Sequence, residues 1–88
     1  MIDIPDFYKN KKVFVTGHTG FKGAWLCSVL LYAGAQITGY SLAPVSAPSL
    51  FELCGLNSHV NSIEGDIRDN EKLQTSIRKA RPDMVFHL

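Results

Sequence analysis

Thr16-Gly17-His18-Thr19-Gly20-Phe21-Lys22-Gly23-Ala24-Trp25-Leu26 is the stretch on which the reading of this chain turns. Immediately before it, Lys12-Val13-Phe14-Val15-Thr16 is β-prone and apolar on both faces, so it belongs inside a sheet covered on both sides. Immediately after it, Ala24 to Ala33 reads as a helix. Phe21, Trp25, Val29 and Tyr32 recur at helical spacing, and Leu26, Leu30 and Ala33 widen the stripe, which makes Trp25 and Tyr32 core candidates. Gly34 is the expected stop, because glycine adopts the left-handed conformation without penalty.

A strand, a loop with glycine at every third position and a helix make a phosphate-binding arrangement. The first glycine permits a tight turn off the strand. The second lets a backbone approach a pyrophosphate, and the third lets helix and strand pack closely. The N-terminal turn of the helix adds unpaired N–H groups and a partial positive charge. The bland alternative is a plain tight turn. A magnesium-dependent nucleotide loop of the Gly-Lys-Ser/Thr kind is excluded, since Lys22 is followed by Gly23 and Ala24 and no hydroxyl is available for the metal.

Outward from the loop the alternation continues. Gln36 to Ser41 is a second strand, and Leu42 to Ser49 is a proline-containing loop. Ser49 is placed to cap a short helix, Leu50 to Cys54, ended by Gly55. His59 to Glu64 is a third strand, and Gly65-Asp66-Ile67-Arg68-Asp69 is a turn. Asp69 caps a helix over Asn70 to Ala80, with Leu73 and Ile77 on its apolar face and Pro82 beyond its end. Asp83 to Leu88 is a fourth strand. The lead-in, Met1 to Asn10, reads as irregular, with Pro5 as a breaker. Strands alternating with helices imply a Rossmann-type doubly wound parallel sheet with right-handed crossovers, in the order 3-2-1-4. The expected organisation is the N-terminal portion of a dinucleotide-binding domain over residues 1–88. The chain ends at the tip of a strand, and the rest of that domain and a substrate domain are expected beyond it.

Composition narrows the classes. The chain has 88 residues, 45% of them hydrophobic, and a net charge of +1. That balance argues against disorder and supplies no field to draw it to nucleic acid or a membrane. Cys27 and Cys54 lack metal-site spacing and make no disulfide framework, His59 and His87 show no ligand spacing, and no basic, apolar leader opens the chain. A cytoplasmic protein without a metal site is the expectation.

Three pieces carry a family resemblance. Thr16-Gly17-x-x-Gly20-x-x-Gly23 resembles the loop of the extended short-chain dehydrogenase/reductase family. Gly65-Asp66-Ile67-Arg68-Asp69 resembles its Asp-Ile/Leu turn after the third strand, and Val85-Phe86-His87-Leu88 the start of its His-Leu-Ala-Ala stretch. The likeness runs from about Lys11 to Leu88. Within the family, the string Gly17-His18-Thr19-Gly20-Phe21-Lys22-Gly23-Ala24-Trp25-Leu26 is most similar to the branch that dehydrates CDP-glucose.

The resemblance implies an NAD-dependent lyase acting on a nucleotide sugar, CDP-glucose, in deoxysugar and O-antigen lipopolysaccharide synthesis, and a homo-oligomer of the full-length protein. It assigns Asp66 and Ile67 to the adenine and places Leu88 under the cofactor. For Asp66 the alternative is a turn residue bonding its own backbone, and for Leu88 plain strand core. The expected cofactor-binding set is Gly17, His18, Thr19, Gly20, Phe21, Lys22, Gly23, Ser41, Asp66, Ile67 and Leu88. His18 is expected as loop surface or cofactor lining, and Lys22 as a phosphate contact, a partner for an acid from outside these residues, or a solvated lysine. Ser41 stands at the ribose position at the end of the second strand, where an acid would grip the 2′-hydroxyl and an arginine a 2′-phosphate. No charged residue lies between Lys22 and Glu52, so nothing local balances an extra phosphate, and NAD is favoured over NADP.

Tyr8-x-x-x-Lys12 matches the family's catalytic pair in spacing only. It precedes the first strand, at the wrong end of a sheet, so no catalytic residue is expected among these 88, and the chain alone is expected to be inactive. A sugar-nucleotide epimerase or reductase of the same family, and a non-catalytic NAD-binding module, remain the alternatives.

Overall fold

β1 (Lys12–Thr16) sits between β2 (Gln36–Ser41) and β4 (Met84–His87), and β3 (Asn61–Glu64) lies outside β2. All three pairings are parallel, with Val13 opposite both Ile37 and Met84, and Tyr40 opposite Ile63. The order 3-2-1-4 is the one expected from the alternation. The computed structural model describes residues 7–43 and 50–88. Pro5, the loop segment 44–49 and the Ser49 cap fall outside the described residues.

Between the strands run α1 (Phe21–Tyr32), a short α2 (Leu50–Leu53), a 3-10 turn at Leu56–Ser58 that the sequence pattern did not signal, and α3 (Asn70–Ala80). Val13, Phe14 and Val15 are all buried, as a central strand covered on both faces requires. Alternation sends Val13 and Val15 to the side of α1, where Ala24, Cys27, Leu30, Ile37, Phe51, Leu56 and Val60 complete one core. Phe14 and Tyr40 turn to the other face, where their rings stack at 6.3 Å and α3 packs across β1 and β2.

α1 corrects the sequence reading in two ways. It begins at Phe21, a turn earlier than expected, with Gly20 as N-cap. Its expected core stripe is turned outward: Phe21 is 70%, Trp25 59%, Val29 40% and Tyr32 87% exposed. The buried residues are Gly23, Ala24, Cys27 and Leu30. Both stripes have helical spacing, so periodicity alone does not choose between them. Close approach does: the helix lies so near the strand-loop junction that only small side chains fit beneath its first turn.

The ends of the elements follow their local chemistry. Gly34 takes φ +85° just past α1, and the N–H groups of Gly34 and Ala35 donate to the Leu31 and Leu30 carbonyls. Asp69 caps α3 by accepting from the Lys72 N–H at 3.2 Å, a bond whose loss costs about 1 kcal/mol. Residues 7 and 8, expected to be irregular, form a helical turn. At the amino edge of the sheet, the Asn10 N–H donates to the Gly34 carbonyl and the Lys12 N–H to the Asp83 carboxylate. Tyr8 and Lys12 therefore stand at the end of the sheet remote from the glycine loop, as the reading of that pair as a decoy requires.

Candidate functional site

The carboxyl ends of the parallel strands are where the fold leaves room for a ligand. Gly17 leaves β1 with φ +77°, a turn that a side chain would strain, and its N–H donates to the Tyr40 carbonyl at 3.0 Å. A Cβ on Gly23 would lie 2.1 Å from the Gly17 carbonyl oxygen and 2.7 Å from the His18 Cα, so α1 docks directly onto the loop backbone. Gly20 is different. A Cβ there would meet only the Gly17 carbonyl oxygen, at an ordinary 3.6 Å. The protein itself does not demand glycine at position 20; the open space beside it does, if something must approach the backbone there. The N-cap Gly20 offers no side chain to the first-turn N–H groups and no acid stands in that turn, so the helix dipole faces outward uncompensated.

A groove of about 170 Å³ opens beside the loop, lined by Gly17, Ser41, Leu42, Gly65, Asp66, Ile67 and Leu88. Five of the eleven expected cofactor residues thus converge from four separate segments of the chain. Thr19 joins them indirectly: its hydroxyl shares a 3.0 Å hydrogen bond with the Ser41 hydroxyl and donates to the Leu42 carbonyl at 2.8 Å. Phe21 and Lys22 are exposed on the first turn of α1 and line neither this groove nor its neighbour around Ser62 and Glu64. Larger hollows lie between α3 and β3 beside Ile63 and along the outer side of α1, and gather none of the expected site residues.

His18 is the clearest departure. Instead of forming loop surface it is fully buried, with Nε2 and the Ser62 hydroxyl sharing a 2.6 Å hydrogen bond and its ring edge-on to Phe51 at 5.2 Å. Burial lowers its pKa; the Tyr40 backbone opposes this without reaching hydrogen-bonding geometry with Nδ1, which is buried and unpartnered among the described residues. Its side chain faces the sheet and not the groove.

Asp66 holds the turn by its own backbone and by charge. Its carboxylate accepts from the Arg68 N–H at 2.9 Å and from the Arg68 guanidinium at 2.7 to 3.1 Å. The Arg68 guanidinium holds the carboxyl down at about 2. An ionised carboxylate has about four acceptor sites, and these four contacts with Arg68 engage both oxygens twice.

Two positioning residues escaped the sequence reading. Tyr40 donates its hydroxyl to the Asp66 carbonyl at 2.9 Å, and its ring occupies the space that a side chain on Gly65 would need. The signal was a tyrosine in an otherwise buried strand, whose polar tip must find a partner. Thr16 shares a 2.7 Å hydrogen bond with His87 Nδ1 and accepts from the Leu88 N–H at 3.2 Å. These two bonds bring Leu88 over Gly17.

The NAD dependent epimerase/dehydratase family matches residues 13–88. This chain belongs to that family. Over all 88 residues it is 52% identical to a CDP-glucose 4,6-dehydratase of Salmonella typhimurium, of which it covers 24%. An epimerase structure from Methanothermobacter thermautotrophicus superposes with a TM-score of 0.77 at 32% identity, covering 98% of this chain and 24% of that one. A UDP-glucose-4-epimerase from Stenotrophomonas maltophila, solved with bound NAD and formylated UDP-arabinopyranose, gives 0.75 at 25% identity, over 90% of this chain and 24% of that one. The chain thus spans about a quarter of the length of the curated dehydratase it matches. Family membership accounts for the parallel fold and its strand order. No helix among the described residues is long and apolar enough to cross a membrane, and no cluster of His, Cys, Asp and Glu among them could hold a metal ion.

Proposed function

We propose that these residues form the N-terminal portion of the NAD-binding domain of a sugar-nucleotide 4,6-dehydratase whose substrate is CDP-glucose. The observation that carries this is the 52% identity to a CDP-glucose 4,6-dehydratase across the whole chain, glycine loop included. The groove fits the adenosine end of a dinucleotide: Asp66 and Ile67 for the adenine, Ser41 at the ribose, Leu88 beneath. The glycine loop and the first turn of α1 fit the pyrophosphate, with Gly20 leaving room for its approach.

Bound NAD would supply a reversible hydride acceptor, so that oxidation at sugar C4, loss of water across C5 and C6 and hydride return to C6 give a redox-neutral 4-keto-6-deoxy product. This chain's own part is to bind and orient. Thr19 holds Ser41 in place, and Tyr40 and Arg68 hold the Asp66 turn. No acid-base pair stands at the groove among the described residues, so the chemistry belongs to residues elsewhere in a full-length enzyme, and these 88 alone should catalyse nothing. An epimerase reading is supported by the two epimerase structures that superpose on this fold. A homo-oligomer is part of the same proposal.

The test is an assay of the full-length gene product with NAD and CDP-glucose, following the alkaline absorbance of a 4-keto product. Appearance of CDP-galactose without that absorbance would instead establish the epimerase. Turnover of UDP- or GDP-sugars with CDP-glucose inert would overturn the substrate. In the same preparation, Ser41→Asp should raise the NAD-to-NADP affinity ratio, because a carboxylate there bonds ribose hydroxyls and repels a 2′-phosphate. An unmoved ratio would remove Ser41 from the ribose position.

A further inference from the structure

We propose that His18 is a positioning residue for the phosphate loop: its imidazole, tied to Ser62 behind the loop, sets the height of the loop backbone over the sheet and so the reach of its N–H groups toward a pyrophosphate. This rests on the reading of the loop as a dinucleotide cradle and goes beyond it, because His18 itself touches no part of the groove.

The argument starts from an oddity of exposure. In a tight loop between Gly17 and Gly20, a side chain ordinarily points to solvent. Thr19 is half-buried and Gly20 exposed, yet His18 has none of its surface in water. Burying an imidazole is costly unless it is bonded, and here one ring nitrogen is bonded and the other is not. An apolar ring could fill this seat without the orphan nitrogen. What phenylalanine could not do is reach Ser62.

The ring is seated by three elements. It lies over Gly39 of β2, where a Cβ would fall 2.3 Å from the imidazole Cγ, so any side chain there would expel it. Phe51 of α2 presents an edge contact on another side. Ser62 of β3 takes Nε2. Through its backbone, His18 supports α1, since its Cα is among the atoms closest to Gly23. One residue therefore joins the N-terminus of α1 to β2 and β3, while its neighbour Thr19 ties the loop to Ser41 and Leu42. A loop latched at two successive residues is preorganised, and preorganisation shows as ligand affinity.

The test uses the full-length gene product and two measurements, the NAD dissociation constant by calorimetry and the unfolding midpoint without NAD. His18→Phe keeps the ring and loses the bond, Ser62→Ala loses only the partner's hydroxyl, and His18→Gln restores an amide donor at similar reach. Both His18→Phe and Ser62→Ala should weaken NAD binding about fivefold to tenfold, the worth of one hydrogen bond. The double variant should be no weaker than His18→Phe, and His18→Gln should stay within about twofold of wild type. Where turnover is measured, KM for NAD should carry the change and kcat should not. His18→Phe binding NAD as wild type does, or His18→Phe and Ser62→Ala adding independently, would overturn the proposal and leave His18 as packing. If His18→Phe does not fold, Ser62→Ala decides, being a change on an exposed residue of the outer strand. Wild-type protein that binds no NAD would overturn the cradle reading, and this proposal with it.

Discussion

α1 has two faces that a hydropathy pattern treats alike and the fold treats as opposites. The inner face presents Gly23, Ala24, Cys27 and Leu30 to β1 and the glycine loop; the outer face presents Phe21, Trp25, Val29 and Tyr32 to solvent. By volume the outer face is the better core. The inner face wins because the loop requires the helix to begin almost in contact with the strand, and only small residues permit that.

The sharpest way to break this comparison is Gly23→Ala. Helix propensity favours alanine in a helix by about 1 kcal/mol. Against that, the new Cβ would sit 2.1 Å from the Gly17 carbonyl oxygen, in backbone that cannot swing aside. Overpacking of this kind should destabilise by about 3 kcal/mol, read as a lowered urea midpoint with unchanged slope. A stability gain would show that α1 does not seat on the loop.

The cysteines sample the same two faces chemically. Cys27 lies in the inner core, where burial pushes its thiol up to about 11. Cys54 is exposed beside Trp25, Val29 and Tyr32. A shift of that size leaves about a hundredfold less thiolate on Cys27 near neutral pH than an ordinary cysteine has, before access is considered. An aromatic disulfide reagent should therefore modify one thiol in the native protein, at Cys54, and a second only on unfolding. Two fast equivalents would place Cys27 outside the core.

Gly20 sharpens the comparison from the site's side. Gly20→Val leaves the inner face of α1 untouched, because position 20 has open space. Stability should fall by only about 1 kcal/mol, the typical size of an N-cap preference. NAD affinity of the full-length product should fall by at least about tenfold, since the side chain occupies the approach to the backbone. Gly23→Ala and Gly20→Val then test the different roles that the loop positions imply, close packing for Gly23 and ligand approach for Gly20.

How much of this was legible beforehand depends on whether a feature is written locally. The strand order was expected from the alternation of elements, which the sequence carries, combined with the general right-handedness of parallel crossovers. The Gly17, Gly20, Gly23 spacing and the Gly34 stop are also local, since each reflects one backbone conformation or one close contact. Of the residues that converge on the groove, Ser41 was legible from the end of β2, while Asp66, Ile67 and Leu88 were expected only from the family resemblance. The burial of His18 was not, because its partners Gly39, Phe51 and Ser62 are brought together only by the sheet and α2. The same holds for the Tyr40 hydroxyl on the Asp66 carbonyl and for Thr16 beneath Leu88. The outward stripe of α1 failed for a related reason: the sequence shows that two faces exist, and only the distance from helix to loop selects between them.

The smallest expected effect is on the outer face itself. Tyr32 is 87% exposed, so its ring has little area left to expose on unfolding, whereas Trp25 at 59% keeps part of its ring covered. Hydrophobic stabilisation scales with area removed from water, and Tyr32 removes the least. Tyr32→Ser should change unfolding free energy by less than about 0.5 kcal/mol, as ordinary surface substitutions do, and Trp25→Ser by about 1 to 2 kcal/mol. The contrast with Leu30→Ala, which empties a core position at 2% exposure and should cost about 2 to 5 kcal/mol, is the quantity to measure. Chemical denaturation of the three variants side by side checks it. Trp25 is the one tryptophan of the chain, so its fluorescence reports the same face independently. Emission in the native state should already be that of a water-exposed indole and should shift little on unfolding. A large shift, with Trp25→Ser costing as much as Leu30→Ala, would mean that the outer face is the buried one.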